Sequence, residues 1–451
     1  MMKLGILSVI SILAIVFASA SIGGIATASS SEPSYSNNNF VPHEVIVSFK
    51  ERVSIQDQDG IIQKHGGTII KGNDALNSVL ILVEEEQAFI NEITKDPTVK
   101  YAERNGFVHA ISLPYNQRKE VLDGFKEGVW MPYQDVLIPE HGRDITKRNE
   151  ASFAPRENTE EPPTTTPNDP KWDEQWGPQS IKCPEVWRME KGSLCVLLAI
   201  VDTGIDYNHE DLTHYVAGGY DFVNNDNDPW DDHYLGHGTH CAGIAAATMD
   251  NSIGIAGVAQ VGVMAEKVLN AFGSGTVFDG ALGVTHATDF GADVISMSFG
   301  SSGYSAEMAN ACQYAWDAGV ILAGAAGNSG GTPVSYPARY DTVICVGSIG
   351  KTDIVSGFSQ YGAEMELVAP GESILSTTPG DRYASLGGTS MATPHVAGVA
   401  ALIISHFPSW TNSDVRMILQ DTAKDLGPTG WDEHYGYGKV NPREDANHVG
   451  W

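Results

Sequence analysis

Basic residues are scarce in this sequence of 451 residues, where 27 lysines and arginines stand against 56 aspartates and glutamates. The formal net charge is −29 at neutral pH. This charge argues against nucleic acids and anionic membranes as partners, because both are negatively charged themselves. Most of the acidic excess lies after residue 168, where it favours bound cations instead.

Cysteine is also rare. The five cysteines are an odd number, so at least one has no disulfide partner within the chain. Cys195 and Cys345 lie in apolar, strand-like runs and Cys312 in a helix-like one. We therefore expect buried thiols that behave as small hydrophobic side chains, and the sequence leaves any pairing open.

Long apolar runs are missing except at the N-terminus, where residues 4–17 follow a lysine and precede two small-x-small sites. This arrangement is typical of an export signal, and we place it at residues 1–28, with cleavage after Ala20 as the alternative. An uncleaved anchor is a further alternative. No other stretch is long and apolar enough to span a bilayer, so we expect a secreted protein without a membrane partner once the signal is removed.

The next region, residues 29–111, predicts a small α+β domain. After a polar start, strand-like and helix-like segments alternate in the order βαββαβ, which is that of a ferredoxin-like unit. An ordinary accessory domain would have the same pattern. Residues 112–167 follow as a linker or N-terminal extension that ends in a proline- and threonine-rich stretch.

From residue 168 to 451 the pattern predicts a larger α/β domain. Apolar runs at 195–201, 263–269, 294–298, 319–323 and 342–346 are separated by helix-like segments. Such alternation is typical of βαβ units, and hence of a mainly parallel sheet with helices on both faces. A further apolar helix is predicted over 391–407, with Pro394 near its first turn, where a missing N–H costs little.

Four polar residues stand in glycine-rich loops at the ends of these elements. Asp202 ends an apolar run, His237 lies in Gly-His-Gly-Thr-His, and Ser390 follows Gly-Gly-Thr at a helix start. A serine hydroxyl needs a positioned base to become a good nucleophile, and a carboxylate can orient that base. Asn328, in Ala-Ala-Gly-Asn-Ser-Gly, could donate its amide to a developing oxyanion.

The order Asp, His, Ser, with these surroundings, closely resembles the subtilisin-like serine peptidases, or subtilases, from about residue 168 to about residue 447. The resemblance implies that Ser390 attacks a peptide carbonyl, His237 shuttles the proton and Asp202 fixes the imidazole. It also implies an oxyanion hole made by the Asn328 amide and the backbone N–H of Ser390. Cys241 matches a family variant with a free thiol behind the histidine, not a nucleophile.

The resemblance extends to the N-terminal region, since residues 29–111 look like the propeptide that subtilases use as an intramolecular chaperone and inhibitor. We therefore expect a zymogen that matures by autocleavage, either near Ile111 or closer to Asn168. The sequence ends soon after the point where the peptidase domain of this family closes, so we expect no further C-terminal module. We also expect a monomer.

In this family an extended substrate pairs as a strand with two backbone segments. The matching residues are Gly273, Ser274 and Gly275 on one side and Ser298, Phe299 and Gly300 on the other. Phe299 and a floor of Ala325, Ala326 and Gly327 suggest a roomy, mostly apolar first pocket. Broad endopeptidase specificity for polypeptides is expected, with a narrow processing protease as the alternative.

Two calcium sites are implied, and no organic cofactor. Calcium prefers about six to eight oxygen ligands. By resemblance to thermitase-like subtilases, one set is Asp169, Asp211 and Asn251 with the carbonyls of Thr248, Ile253 and Ile255. The other set is Asp221, Asn224, Asp226 and Asp228. About two extra residues before Gly236 leave open whether Trp230 or Asp231 joins this second set.

Three other functions fit less well. A degenerate family member that only binds peptides should have lost one of the four site residues, and all are present. A serine-carboxyl peptidase would carry a glutamate base and an aspartate at the oxyanion position. A structural surface protein would leave the glycine-rich loops unexplained.

Overall fold

The computed structural model describes residues 39–50, 53–111 and 166–442. The predicted signal peptide, 1–28, and all but the end of the predicted linker lie outside the described residues. The strands are β1 (Phe40–Phe49), β2 (Thr68–Asn73), β3 (Ser78–Leu82), β4 (Val99–Ala110), β5 (Leu197–Asp202), β6 (Tyr220–Asp221), β7 (Gly262–Lys267), β8 (Ser274–Thr276), β9 (Val294–Met297), β10 (Phe299–Gly300), β11 (Ile321–Ala325), β12 (Ile344–Ile349), β13 (Leu367–Pro370), β14 (Ile374–Thr378) and β15 (Arg382–Leu386).

The helices of the described residues are α1 (Ile55–Lys64), α2 (Glu86–Ile93), α3 (Trp176–Ser180), α4 (Cys183–Val186), α5 (His237–Ala246), α6 (Val277–Phe290), α7 (Ala306–Asp317), α8 (Thr389–His406) and α9 (Asn412–Asp421). A 3₁₀ turn covers Trp172–Glu174. No helix in the described ranges is long and apolar enough to cross a membrane.

The N-terminal domain has the predicted βαββαβ order. Its strands pair antiparallel in the order β4-β1-β3-β2. Ser54 caps α1 by accepting a hydrogen bond from the backbone N–H of Asp57, as expected for a serine before a helix. Apolar side chains of both helices, such as Ile62 and Phe89, form one core with β1 and β3.

The larger domain is built on a seven-stranded sheet in the order β13-β12-β11-β9-β5-β7-β6, with parallel pairing throughout. Alternate residues of β5 face opposite sides of this sheet. Leu198 and Ile200 belong to the core that includes α5 and α8, whereas Ala199 and Val201 belong to the core that includes α6 and α7. This confirms the predicted α/β fold with helices on both faces.

Helix α8 begins two residues earlier than the sequence predicted, so Pro394 lies inside it, beyond the first turn. A proline there cannot donate the usual hydrogen bond to the carbonyl four residues before it, which is that of Ser390. The freed carbonyl accepts from the Ser298 hydroxyl at 2.9 Å and from the Cys241 thiol at 3.5 Å. The proline thus leaves an acceptor that fixes two side chains beside the helix start.

All five cysteines lie within the described residues, and none forms a disulfide. Cys183, Cys241, Cys312 and Cys345 are buried, as expected. Cys195 is exposed, because it precedes β5 at the surface instead of lying within the buried part of that strand. Burial raises the pKa of the Cys241 thiol, which disfavours the thiolate and fits the expectation that this residue is no nucleophile.

Candidate active site

Asp202 and His237 meet at the carboxyl end of the parallel sheet. Asp202 is the last residue of β5, and His237 is the first residue of α5. The two side chains are buried, and His237 Nδ1 lies 2.7 Å from Asp202 Oδ1. Close backbone approach makes this possible, since a Cβ on Gly238 would lie 2.1 Å from the carbonyl oxygen of Gly204.

The surroundings of His237 favour its protonated form. Burial by itself lowers the pKa of the imidazole, but the negative charge and the hydrogen bond of Asp202 act against it, and the net effect raises the pKa above its ordinary value. The pair therefore suits a base that must carry a proton for part of a reaction.

Ser390 is the second residue of α8, and its hydroxyl points into the cleft. Ser390 Oγ lies 2.8 Å from the carbonyl oxygen of Ile111 and 3.0 Å from that of Ser298. His237 Nε2 is buried and makes no hydrogen bond to the described residues. In this arrangement the serine hydroxyl is turned toward these two carbonyl oxygens, and a rotation about the Cα–Cβ bond of Ser390 would turn the hydroxyl away from them.

The side-chain amide of Asn328 binds the same carbonyl oxygen, that of Ile111. Asn328 Nδ2 donates to the carbonyl oxygen of Ile111 at 2.8 Å, and its Oδ1 accepts from the backbone N–H and the hydroxyl of Thr389 at 2.9 and 3.0 Å. Sequence reasoning missed Thr389, although its place beside Ser390 was a signal. Among the described residues, no hydrogen bond joins the backbone N–H of Ser390, the expected second donor, to Ile111.

Gly388 keeps this corner open. Its φ is +153°, and a Cβ there would lie 2.7 Å from Asn328 Nδ2 and 3.2 Å from the carbonyl oxygen of Ile111. Any larger residue would push the amide donor and the carbonyl apart. A glycine at position 388 is therefore required by space as well as by backbone conformation.

Strand β4 of the N-terminal domain lies in the cleft between β8 and β10. Val108 and His109 pair antiparallel with Gly275 and Ser274, and the backbone N–H of Ala110 donates to the carbonyl of Gly273 at 2.7 Å. On the other side, β10 brings Phe299 and Gly300 opposite Ala110 and His109, and the N–H of Ile111 donates to Ser298. All six residues predicted to line the groove thus contact one extended segment.

The residues predicted to form the first pocket do not all lie beside the same residue of this segment. The Ile111 side chain lies against Gly300, where a Cβ would come within 2.9 Å of Ile111 Cδ1. Phe299, expected beside the same pocket, is instead buried in the apolar cluster that includes Val108. Ala325 ends β11 and Gly327 precedes Asn328, and neither makes a hydrogen bond to the described part of the segment.

Carboxylate and amide groups of β4 also cap two helices of the larger domain. Glu103 accepts hydrogen bonds from the Ser305 hydroxyl and from the backbone N–H groups of Ala306 and Glu307, at 2.6, 2.9 and 3.1 Å. Asn105 Oδ1 accepts from the N–H of Phe278 at 3.1 Å. These are the N-termini of α7 and α6, where otherwise unpaired N–H groups need acceptors, and at α7 the helix dipole also favours the negative charge of Glu103.

Glu307 forms a second buried contact between the domains. Its carboxylate accepts from the hydroxyls of Ser78 and Tyr101, both at 2.6 Å. Burial raises the pKa of Glu307 to about 7. At the edge of the interface, Lys71 forms an ion pair with Asp279 at 2.7 Å.

The first predicted calcium ligands come together around Asp211. Asp211 Oδ1 accepts from the Asn251 amide at 2.8 Å, and Asp169 accepts from the backbone N–H of Asp250 at 2.9 Å. Burial raises the pKa of Asp211 to about 6, although its Oδ2 accepts hydrogen bonds from the backbone N–H of Ile255 and the hydroxyl of Tyr383. A buried carboxylate of this kind is one that a bound cation would stabilise.

The backbone of the neighbouring loop fits a cation as well. Residues 250, 252 and 254 all have positive φ. Within the described part of the chain, no donor reaches the carbonyl oxygens of Thr248, Ile253 and Ile255. Three carbonyls without donors beside two acidic side chains and an amide form an oxygen-only set, which is what calcium prefers.

The second predicted calcium loop is more exposed. Asp221 Oδ1 accepts from the backbone N–H groups of Val223 and Asn224, both at 2.8 Å, and the Asn224 amide donates to its other oxygen. Asp226 and Asp228 are exposed, and Asp228 also accepts from the Tyr207 hydroxyl. Protein hydrogen bonds occupy carboxylates in both sets, but Asp226 and Asp228 are exposed whereas Asp211 is buried, so this loop fits a cation less well than the Asp211 set does.

Residues 195–438 match the family model for the subtilase family, and residues 26–105 match that for the Fervidolysin N-terminal prodomain. The chain is 35% identical over 419 residues to the "Thermophilic serine proteinase" of Bacillus sp. (strain AK1), covering 92% of this chain and 90% of that one. It is 47% identical over 278 residues to "Thermitase" of Thermoactinomyces vulgaris, covering 61% and 97%.

A third relative, the "Halolysin-like extracellular serine protease Nep" of Natrialba magadii, is 36% identical over 342 residues, covering 74% of this chain and 60% of that one. The parallel sheet, the buried Asp-His pair and the serine at a helix start agree with these matches. The chain therefore belongs to the subtilase family, as a thermitase-like serine endopeptidase with an N-terminal prodomain.

Proposed function

We propose that the chain is an exported zymogen in which Asp202, His237 and Ser390 hydrolyse peptide bonds, and that its first substrate is its own Ile111–Ser112 bond. One observation carries the proposal: Ser390 Oγ and Asn328 Nδ2 both lie 2.8 Å from the carbonyl oxygen of Ile111. That carbonyl belongs to the bond that joins residues 111 and 112. Cleavage there gives a propeptide of residues 29–111 and leaves 112–167 as an N-terminal extension of the peptidase at 168–451.

The proposed reaction begins when the Ser390 hydroxyl turns toward His237 and gives its proton to Nε2. Ser390 Oγ then bonds to the carbonyl carbon, and the negative charge that develops on the carbonyl oxygen is stabilised by the Asn328 amide. His237 next protonates the amine of Ser112, which leaves. Water, deprotonated by His237, hydrolyses the resulting acyl-enzyme and regenerates Ser390.

A serine-directed fluorophosphonate tests the nucleophile directly. We expect the processed protein to hydrolyse casein, and the probe to abolish this activity while labelling the peptide that contains Ser390. Hydrolysis that survives complete labelling, or labelling at another serine, would contradict the assignment.

After cleavage, the same contacts make the N-terminal domain an inhibitor. Its β4 strand occupies the substrate groove, and the Glu103 and Glu307 contacts lie well away from the scissile bond. Strand pairing and helix capping together hold the product in the cleft. We therefore infer that activity appears only when this domain dissociates or is itself degraded.

Glu103→Ala is expected to shorten the lag between self-cleavage and the appearance of activity. The variant loses three hydrogen bonds to a carboxylate, which corresponds to roughly 10- to 100-fold weaker inhibition. Following cleavage on gels and activity with a fluorogenic peptide measures the lag. Glu84→Ala, which removes an exposed carboxylate of the same domain, is the control and should keep the wild-type lag. Equal lags in all three proteins would exclude this role for Glu103.

We further infer that calcium binds at the Asp211 set, through Asp169, Asp211, Asn251 and the carbonyls of Thr248, Ile253 and Ile255. Calcium at Asp221, Asn224, Asp226 and Asp228 is a weaker proposal, because that loop is exposed. The ion would stabilise the fold by neutralising buried carboxylates and joining the segment before α3 to the loop after α5.

Removing calcium with a chelator is expected to lower the melting temperature by about 10 °C or more, which corresponds to the loss of a tightly bound ligand of the folded state. The measurement is made on Ser390→Ala protein, so that self-digestion does not interfere. Asp211→Asn should melt near the chelated value with or without added calcium. An unchanged melting temperature after chelation would exclude a structural ion.

Export, a monomeric state and polypeptide substrates complete the proposal. Support for export comes from the apolar N-terminal run and from a relative named as extracellular. Fractionating an expressing culture checks it, since active protein should accumulate in the medium.

A further inference from the structure

A second buried carboxylate lies close to the active site and has no role in the reaction described above. Asp231 lies in the loop before α5 and is 2% exposed. Its Oδ1 accepts from the Thr203 hydroxyl at 2.9 Å and from the backbone N–H of His233 at 3.1 Å. Its Oδ2 accepts from the hydroxyl and the N–H of Thr239, at 2.6 and 2.9 Å. Four protein donors thus occupy this carboxylate.

Both threonines lie close in sequence to the catalytic pair. Thr203 follows Asp202, and Thr239 lies two residues after His237. The Thr203 hydroxyl also accepts from the N–H of Gly238 at 2.9 Å, so it joins the Asp202 loop to the helix that begins with His237. Asp231 therefore binds side chains from the segments of both members of the Asp-His pair.

The first turn of α5 depends on these contacts. Gly236 precedes the helix and has no side chain that could cap it. Its first N–H groups instead donate to side chains of the preceding loop and of Thr203, which follows β5. His237 N donates to His233 Nδ1 at 3.3 Å, Gly238 N to Thr203 and Thr239 N to Asp231. A carboxylate at this place also interacts favourably with the helix dipole.

The charge of Asp231 acts on His237 as well. The ionisable groups near His237 are Asp202 on β5, Asp231 and His233 in the preceding loop, and His240 and Cys241 on α5 itself. Burial lowers the pKa of His237, whereas Asp202 and, to a smaller extent, Asp231 raise it. Lys267, which binds Asp232 and the carbonyl of Thr203, lies on the far side of this network.

Burial also raises the pKa of Asp231 itself, to about 6, although its hydrogen bonds with Thr239 and Thr203 and the charge of Lys267 lower it. Asp231 therefore becomes anionic as the pH rises above this value. Over that range its charge favours the imidazolium form of His237.

We propose that Asp231 is a positioning residue for the catalytic pair: it holds the Asp202 and His237 segments in register through Thr203 and Thr239, and its charge adds to that of Asp202 on the imidazole. This inference rests on the proposed function of Asp202, His237 and Ser390. It assigns to Asp231 no direct contact with substrate.

The test compares Asp231→Asn, Thr203→Val and Thr203→Ser with the wild type, each matured by a trace of wild-type enzyme where self-cleavage is slow. Near-UV circular dichroism checks folding. The values of kcat and KM for one fluorogenic peptide are measured across the pH range. Asp232→Asn is the matched control, since it removes the adjacent carboxylate, which is half exposed and binds Lys267 instead of the catalytic loops.

Asp231→Asn should lower kcat by about 10- to 100-fold with little change in KM, because small displacements of catalytic groups have effects of this size. The acidic limb of the pH profile should move to lower pH by roughly half a unit, since His237 loses a nearby negative charge and becomes easier to deprotonate. Thr203→Val should lower kcat but leave the limb in place, and Thr203→Ser should restore kcat. Asp232→Asn should behave as the wild type.

A folded Asp231→Asn protein with wild-type kcat and pH profile would overturn the inference, as would an equal loss in Asp232→Asn. If Asp231→Asn does not fold, the two Thr203 variants provide the test. A wild-type kcat in Thr203→Val overturns the inference. A lower kcat in Thr203→Val, with wild-type kcat in Thr203→Ser, supports it. A wild-type chain that hydrolyses nothing overturns the proposed function and this inference together. An active wild type with unaffected variants overturns this inference alone.

Discussion

Ser390→Ala is expected to abolish both self-cleavage and hydrolysis of added substrate. Removing the nucleophile of such a triad lowers kcat by about a millionfold, because the base and the carboxylate act only through the serine. The chain should accumulate at full length, apart from any removed signal, and should stay folded. Intact mass and casein hydrolysis measure the two effects.

Ser385→Ala is the matched control, because Ser385 is exposed on β15 in the same segment. It should process and hydrolyse as the wild type does. If Ser390→Ala were cleaved by itself at the wild-type rate, the nucleophile would have to be another residue.

Asn328→Ala is expected to lower kcat by about 100- to 1000-fold while KM changes little. The amide donates to the carbonyl oxygen on which charge develops, so its interaction is stronger in the transition state than with the bound substrate. Thr389→Val should give a smaller loss, since Asn328 stays but loses the hydroxyl that orients it. Steady-state kinetics on a fluorogenic peptide separates the two parameters.

Ser329→Ala tests whether this effect is specific, because Ser329 is the exposed neighbour of Asn328. It should keep wild-type kcat. A large rise in KM with unchanged kcat in Asn328→Ala would mean that the amide binds ground state and transition state equally, and it would contradict the oxyanion role.

The sequence predicted the parts of the fold that hydrophobic periodicity and glycine-rich loops indicate. Alternating strand-like and helix-like segments predicted the βαββαβ order of the N-terminal domain, and apolar runs predicted β5, β7, β9, β11 and β12. It did not indicate β6 or the β14–β15 hairpin, because two-residue and partly polar strands have no distinctive pattern. It placed Pro394 near the start of α8, although that helix begins at Thr389.

The candidate site likewise contains residues that sequence motifs indicated and residues that only the structure revealed. Asp202, His237, Asn328 and Ser390 could be named because their neighbours resemble family motifs, and three-dimensional proximity then follows from the parallel sheet. Thr389 and Asp231 act through side-chain hydrogen bonds to residues distant in the chain, which no local pattern encodes. Phe299 was predicted to contribute to the first pocket, and its side chain lies in the apolar cluster that includes Val108, a contact that spacing along the chain does not specify.

The position of the first cut tests the central claim most directly. Freshly folded wild-type protein is sampled over time at several dilutions with calcium present, and intact mass and N-terminal sequencing identify the first products. We expect a new N-terminus at Ser112, formed at a rate that does not depend on protein concentration, with no such product from Ser390→Ala. A first cut between residues 113 and 168, or a rate that rises in proportion to concentration, would contradict the account that Ile111 is bound for cleavage in its own active site.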